Sequence, residues 1–381
     1  MTGGRGAAVD ATSSDGLSKL FTPFKLGSLS LPNRFVMPGM QRGWARDGTP
    51  SPELASYYRR RVEGGVGLII GESSAVDHPS STVQPAACRL NPRTAGAWSR
   101  CVDAVRDAGG HFLMQLWHEG GRRNAADGLA LSPSGLSHPG HPNGRAATRA
   151  ELGEIRDAFV RSALIAQSIG ADGVEVHACH GYLLDQFLWA ATNTRDDGYG
   201  GEAIADRARF PAEIVASIRA ACGPDFVISF RFSQWKEHGY EAKVAATPDD
   251  LGVLLGMLRA AGANSLHAST RRFWVPEWPG SEMGLAGWTR RLGGLPTITV
   301  GSVGLDRDVM ASFMEDGEAA SRVRASMKEL AERFERQEFD LVAVGRGLIS
   351  DPDWVKKVRD GQYDAVRTFQ KADIASLQWE W

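Results

Sequence analysis

Short apolar or β-branched runs recur along the whole chain, each closing on a small or polar residue and each followed by apolar positions at helical spacing. Eight runs predict strands: Arg34–Met37, Val66–Glu72, His111–Trp117, Gly173–His177, Phe226–Phe232, Ser265–Ser269, Thr297–Gly301 and Leu341–Gly345. Between them Pro52–Glu63, Pro92–Ala108, Gly153–Ile169, Asp206–Ala221, Pro248–Ala261 and Pro352–Asp360 read as amphipathic helices. Several open on Pro, whose missing N–H is an orphan at the first helical position anyway. Strict alternation of strand and helix requires a parallel sheet. Eight complete units predict an α/β fold, a single closed (β/α)8 barrel, in preference to an open doubly wound sheet. The Gly-x-Gly-x-x-Gly turn of an open nucleotide-binding sheet does not follow Val36. Residues 119–150 and 183–205 are polar and rich in Gly and Pro, as expected of βα loops that cap a site. The charged stretch 311–338 predicts an enlarged helical excursion. Residues 1–16 form a predicted flexible tail, and 17–381 the barrel domain.

Composition narrows the partners. The chain has 381 residues and 43% hydrophobic content, enough for a large core, and its 43 basic and 45 acidic residues nearly cancel. No charge footprint favours nucleic acid or an anionic membrane, so a small molecule is the expected partner. Cys88, Cys101, Cys179 and Cys222 lack the close spacing of zinc or iron–sulfur ligands, which predicts a reduced, cytoplasmic protein without a metal centre. The start of the chain has no secretory apolar core, and no run is long enough to span a bilayer.

A barrel of this kind places its chemistry at the C-terminal strand ends, and here those ends are polar. The fourth predicted strand ends in Val176-His177-Ala178-Cys179-His180-Gly181-Tyr182. Two imidazoles three residues apart can hold one anionic oxygen, and a nearby phenol can deliver a proton; a buried polar cluster or a metal pair are the competing readings. After strands seven and eight stand Gly301-Ser302-Val303-Gly304 and Gly345-Arg346, the two places where such barrels form a phosphate site from backbone N–H groups. Gln115 at strand three offers a donor and an acceptor to a pyrimidine-like edge, and Arg231 at strand five would stabilise negative charge on a ring. Together these groups suit flavin mononucleotide. Arg271-Arg272-Phe273-Trp274-Val275-Pro276-Glu277-Trp278 follows strand six and reads either as an aromatic platform for substrate or nicotinamide, with two cations, or as a packed loop; Trp117 ends strand three as a second candidate substrate contact.

Several long motifs resemble the old yellow enzyme family of flavin-dependent ene-reductases. They are Leu20-Phe21-Thr22-Pro23, Leu31 to Met37, Val66 to Ile70, the Gln115 strand, His177 to Leu183, Asn193-Thr194-Arg195 with Tyr199-Gly200-Gly201, Val300 to Gly304, and Val344 to Gly347. The resemblance covers nearly the whole chain outside the tail. It implies non-covalent FMN reduced by NADH or NADPH, with hydride passing from flavin N5 to the β-carbon of an activated alkene. It further implies that His177 and His180 bind the carbonyl or nitro oxygen and that Tyr182 protonates the α-carbon. Gln115 and Arg231 would hold the pyrimidine side of the flavin, with Met40 and Ser73 lining its ring. The chain departs from many relatives in carrying Gln41 where they have Thr or Cys, and Gly43 followed by Trp44 where some have Tyr. Gln41 is expected near the N5/C4 edge. The aromatic C-terminus Leu377-Gln378-Trp379-Glu380-Trp381 lacks the Arg that one bacterial branch inserts into a neighbouring subunit, so a homo-oligomer is compatible with the chain but that dimer is not implied. Rival readings are the same barrel working as a desaturase, a flavin-binding protein without turnover, and a metal-dependent barrel hydrolase using His177, His180 and His118.

Overall fold

The computed structural model describes residues 16–314 and 317–375. Residues 1–15 of the predicted tail and the C-terminal Leu377–Trp381 lie outside the described residues. Eight parallel strands close on themselves: β1 (Phe35–Met37), β2 (Leu68–Ile70), β3 (His111–Trp117), β4 (Gly173–Ala178), β5 (Val227–Phe232), β6 (Ser265–Ser269), β7 (Thr297–Val300) and β8 (Leu341–Ala343). Each pairs with the next in the chain, and β8 pairs back onto β1 through Val342↔Phe35 and Ala343↔Val36. The predicted barrel and its eight strand positions are therefore observed.

Helices α1 (Pro52–Glu63), α2 (Ala95–Asp107), α3 (Arg149–Ser168), α4 (Ile204–Cys222), α5 (Pro248–Ala260), α6 (Leu285–Gly293), α7 (Val323–Glu335) and α8 (Trp354–Arg359) surround the strands. α3 begins four residues before its apolar pattern does. Thr148 caps it, accepting from the backbone N–H of Glu151 while the Glu151 carboxylate accepts from that of Thr148, so polar residues supply the first turn. α6 was not anticipated, because its short amphipathic stretch sits inside an aromatic, Gly-rich segment. The excursion expected at 311–338 resolves into a short helix at Val309–Met314 and α7.

Two apolar layers hold this arrangement. Between strands and helices runs the main core, which includes Phe112, Phe159, Phe210, Phe230 and Trp98. Inside the barrel, Val36, Leu68, Ile70, Leu113, Val227, Ile298 and Leu341 pack against the hairpin Phe24–Leu26/Leu29–Leu31, which plugs the end of the barrel. Each such aliphatic side chain contributes about 1.5–3 kcal/mol on full burial. The plug leaves one open end, at the C-terminal tips of the strands. Among the described residues no helix is long and apolar enough to cross a membrane.

Gly173 pairs with Val227 where β4 runs alongside β5. A Cβ there would lie 2.1 Å from the Val227 carbonyl oxygen, which is backbone and cannot swing aside. Gly173→Ala should therefore push the two strands apart and destabilise the fold by about 1–3 kcal/mol, the usual cost of overpacking. Urea denaturation checks this, and an unchanged midpoint would show that the β4–β5 approach is not limiting.

Candidate active site

At the open end lies a cavity of about 460 Å³, into which β1, β2, β4, β5, β6, β7 and β8 or their following loops project Met40, Gln41, Ser73, His177, His180, Tyr182, Arg231, Ser269, Gly301, Ser302, Gly345 and Arg346. His177 is the last inward residue of β4 and is 5% exposed. Beyond it the chain turns sharply: His180 and Gly181 both have left-handed φ values, 64° and 87°. The Asp185 carboxylate secures the turn by accepting from the Gly181 N–H at 2.6 Å and from the Lys236 ammonium at 2.7 Å, an ion pair with side chains 0% and 1% exposed. This sets the rings of His177, His180 and Tyr182 around one point, with His177 5.7 Å from His180 and 5.4 Å from Tyr182 between centroids. The Trp235 ring lies against His180 at 4.7 Å.

Burial decides the protonation states. It lowers His177 to about 3, aided by the Arg231 charge, and it holds His180 well below its ordinary value, again with Arg231 contributing. Both imidazoles are therefore neutral near pH 7, and each can donate one hydrogen bond. Burial pushes the Tyr182 phenol up to about 12, so it carries its proton. Two neutral donors and one acid face the same space.

Beneath them a carboxylate is sealed in the barrel. Glu175 is 0% exposed and accepts from Gln115 Nε2 at 2.8 Å, from His267 Nδ1 at 2.7 Å and from Ser229 Oγ at 3.2 Å. Burial opposes its ionisation, but His267, Arg231 and Gln115 outweigh that and hold it at about 2. A carboxylate can only accept, so the Gln115 amide must turn its nitrogen down and its oxygen up. That oxygen accepts from Ser73 Oγ at 2.5 Å. Gln115 thus lies in the floor, reaching the cavity through Ser73. Arg231 donates to Ser269 Oγ at 3.2 Å, and Ser269 in turn bonds His180 Nε2 at 3.0 Å. The Arg231 Nε has no partner among the described residues, although it is buried. A polar ring bound above would supply one.

At the other side of the cavity the loops after β7 and β8 meet. Gly301 has φ 144°, and a Cβ there would lie 2.5 Å from Thr270 Oγ1. Ser302 adopts φ 52°, which is costly for a non-glycine residue, and its hydroxyl bonds the carbonyls of Arg271 and Arg307. Arg346 donates to the carbonyls of Arg307 (2.6 Å) and Asp308 (3.1 Å) and to Ser302 Oγ (3.2 Å). It is a strut for the glycine loop as well as a cation at its edge. A strained, glycine-permitted loop beside a half-buried guanidinium fits a phosphate. The residues present therefore fit FMN at both its polar ring and its phosphate.

Not every expected residue meets the cavity. Trp117 is fully buried behind Tyr182, 5.2 Å away and edge-on, because the extra strand segment Ser74–Ala75 pairs along the end of β3 and covers it. It backs the phenol and cannot touch a substrate. Trp274 packs under Arg322 at 4.1 Å, with its carbonyl bound by Arg333, so it faces α7. From the same segment Thr270 and Arg271 line the cavity instead. Gly304 turns away, donating to Ser326 Oγ at 3.1 Å. The expected third metal ligand, His118, is consumed by Ser80 and by the Gly120 N–H. Among the described residues the potential ligands that converge are His177, Cys179 and His180, without a carboxylate. Trp235, Glu237 and Arg122 are features of the mouth that sequence reading missed, since all three sit in loops whose path no periodicity reveals.

Residues 19–321 match the profile of the NADH:flavin oxidoreductase / NADH oxidase family. The chain is 34% identical over 377 residues to an NADH oxidase of Thermoanaerobacter brockii, covering 94% of this chain but 53% of that protein. It is 31% identical over 367 residues to 12-oxophytodienoate reductase 7 of Oryza sativa subsp. japonica, covering 89% of this chain and 87% of that one. Among solved structures, morphinone reductase in complex with tetrahydroNAD superimposes with a TM-score of 0.76 at 27% identity, covering 93% of each chain. The matched family is one of flavin oxidoreductases, and the cavity has the groups to hold FMN. By the extent of the match and the identity of the motifs, the chain belongs to the NADH:flavin oxidoreductase / NADH oxidase family, the old yellow enzymes.

Proposed function

We propose that this protein is an ene-reductase that uses FMN and NADH or NADPH to reduce an activated alkene, an α,β-unsaturated carbonyl or nitro compound. One observation carries the reading: His177, His180 and Tyr182 converge on a single point, two as neutral donors and one as a protonated acid. Bound FMN would relay hydride from the nicotinamide to the β-carbon. The protein's own part is then electrostatic. His177 and His180 donate to the carbonyl or nitro oxygen and stabilise the negative charge that grows there, without the repulsion or proton loss a charged imidazole would bring. Tyr182 gives its proton to the α-carbon. Ser269 aligns the His180 ring and Arg231 together, coupling the substrate oxygen site to the floor of the cavity. Relatives named 12-oxophytodienoate reductase and morphinone reductase support a reductase of small organic molecules.

Three outcomes test this. Tyr182→Phe should leave flavin reduction by the nicotinamide near wild type while enone reduction slows by roughly two to four orders of magnitude, with nitroalkenes less affected because their carbanions survive to meet water. Stopped-flow of the two half-reactions measures it, and equal slowing of both would overturn the assignment of Tyr182.

Because burial places His177 at about 3 and lowers His180, neither imidazole gains a proton between about pH 5 and 8. The Kd of a neutral enone, followed by flavin absorbance, should be flat across that range. A step near pH 6.5, where an unperturbed imidazole titrates, would show that the site is open to water.

Arg346→Ala should remove both the cation and the brace of the glycine loop, so the variant should purify with little FMN. Full flavin occupancy after extensive dialysis would place the phosphate elsewhere.

A further inference from the structure

The geometry points to Arg122 as a positioning residue for proton delivery: docked on the Tyr182 ring and on the backbone of His180, its guanidinium supplies the positive charge that offsets the phenolate left when Tyr182 gives up its proton. This rests on the reading of Tyr182 as the proton donor. Arg122 ends a short 3-10 turn, Gly120–Arg122, after β3. Its guanidinium carbon lies 4.6 Å from the centroid of the Tyr182 ring. Its Nη1 donates to the His180 carbonyl at 3.0 Å, and its Nη2 pairs with Glu237 at 2.7 Å on the mouth of the cavity. One side chain therefore grips the turn that presents the acid, the acid itself and the loop across the mouth. Trp117 packs edge-on against the phenol at 5.2 Å, so its ring is held between an apolar neighbour and this cation. The nearby carboxylates Glu237 and Glu119 act in the opposite sense on the phenol, and Arg122 is the largest influence that favours the phenolate against burial.

The chemistry explains why a cation is needed there. The O–H bond of Tyr182 breaks as the C–H bond forms at the α-carbon, and its electron pair stays on the phenolate oxygen. The two electrons of the reduction arrive with the hydride at the β-carbon, supplied through FMN by the nicotinamide. The phenolate then recovers a proton from water. Burial disfavours the phenolate in this site, so Tyr182 gives up its proton less readily unless that charge is offset. A partly buried guanidinium over an aromatic face is suited to that role.

The test uses the FMN-loaded enzyme. Arg122→Met should slow enone reduction by on the order of tenfold, within what a partly buried cation–π contact contributes, and should raise the solvent isotope effect on that step. Flavin reduction by the nicotinamide should stay unchanged, and nitroalkenes should be less affected. Arg122→Lys, which retains the charge and the fold but lacks the fork, should give an intermediate rate. A fluorinated tyrosine of lower pKa at position 182 should restore enone reduction in the Arg122→Met background and change the wild type much less. A merely structural role predicts no such rescue. Equal loss in Arg122→Met and Arg122→Lys, or no response to the fluorinated tyrosine, would overturn the proposal. If instead Tyr182→Phe leaves enone reduction untouched, the reading of Tyr182 fails, independently of Arg122.

Discussion

Glu175 is a carboxylate without access to water, and the floor of the site is organised by the need to neutralise it. A buried charge is tolerated only when it is paired and hydrogen-bonded. Gln115, Ser229 and His267 each donate to it, and the Arg231 charge lies close by. Once those bonds are made, the orientation of the Gln115 amide is determined and Ser73 is tied to its oxygen, while the Arg231 guanidinium, bonded to the Gly39 carbonyl and to Ser269, lowers both imidazoles. The polarity of the cavity floor thus follows from one acidic residue in the middle of an apolar strand.

A second buried pair performs the corresponding task for the walls. Asp185 and Lys236 join the loops after β4 and β5, and through the Gly181 N–H they stabilise a turn that runs through two consecutive left-handed residues. The cost of that conformation at His180 is recovered from contacts in which His180 takes part: its backbone N–H donates to Ser233 Oγ, its carbonyl accepts from Arg122, and its ring meets Ser269 and Trp235. Strain at a functional residue persists only when the surroundings over-determine it, as they do here. The Met40–Arg42 segment across the cavity is fixed in a similar way, by the Arg42 N–H on the buried Glu72 carboxylate at 2.6 Å. Gln41 is thereby left exposed on the cavity wall.

The barrel and much of the site could be read in the chain. Period-2 and continuous apolar runs alternating with helical spacing report local constraints, and a closed sheet of eight units is the compact solution for such an order. The polar ends of those runs were legible for the same reason, since His177 and Arg231 break the apolar pattern at the C-terminal ends of their strands, where such a barrel opens. His177, His180, Tyr182, Ser73, Arg231, Ser302 and Arg346 all reach the cavity. Glu175 and His267 also carried a signal, as ionisable groups inside apolar runs, but their partnership requires β4 and β6 to face each other across β5.

What the sequence determined by itself is the order of elements, the strand ends and the chemical types found there, because each of these depends on neighbours within a few residues. What the tertiary structure decided is which side chains share a space. Trp117 and Trp274 look like platform residues in one dimension, yet a two-residue strand segment covers the first and α7 claims the second. Arg122, Trp235 and Glu237 look like ordinary loop residues, yet loop closure brings them over His180 and Tyr182. Packing acts on residues far apart in the chain, and burial, which shifts the imidazoles and the phenol, comes into being only when the barrel has closed.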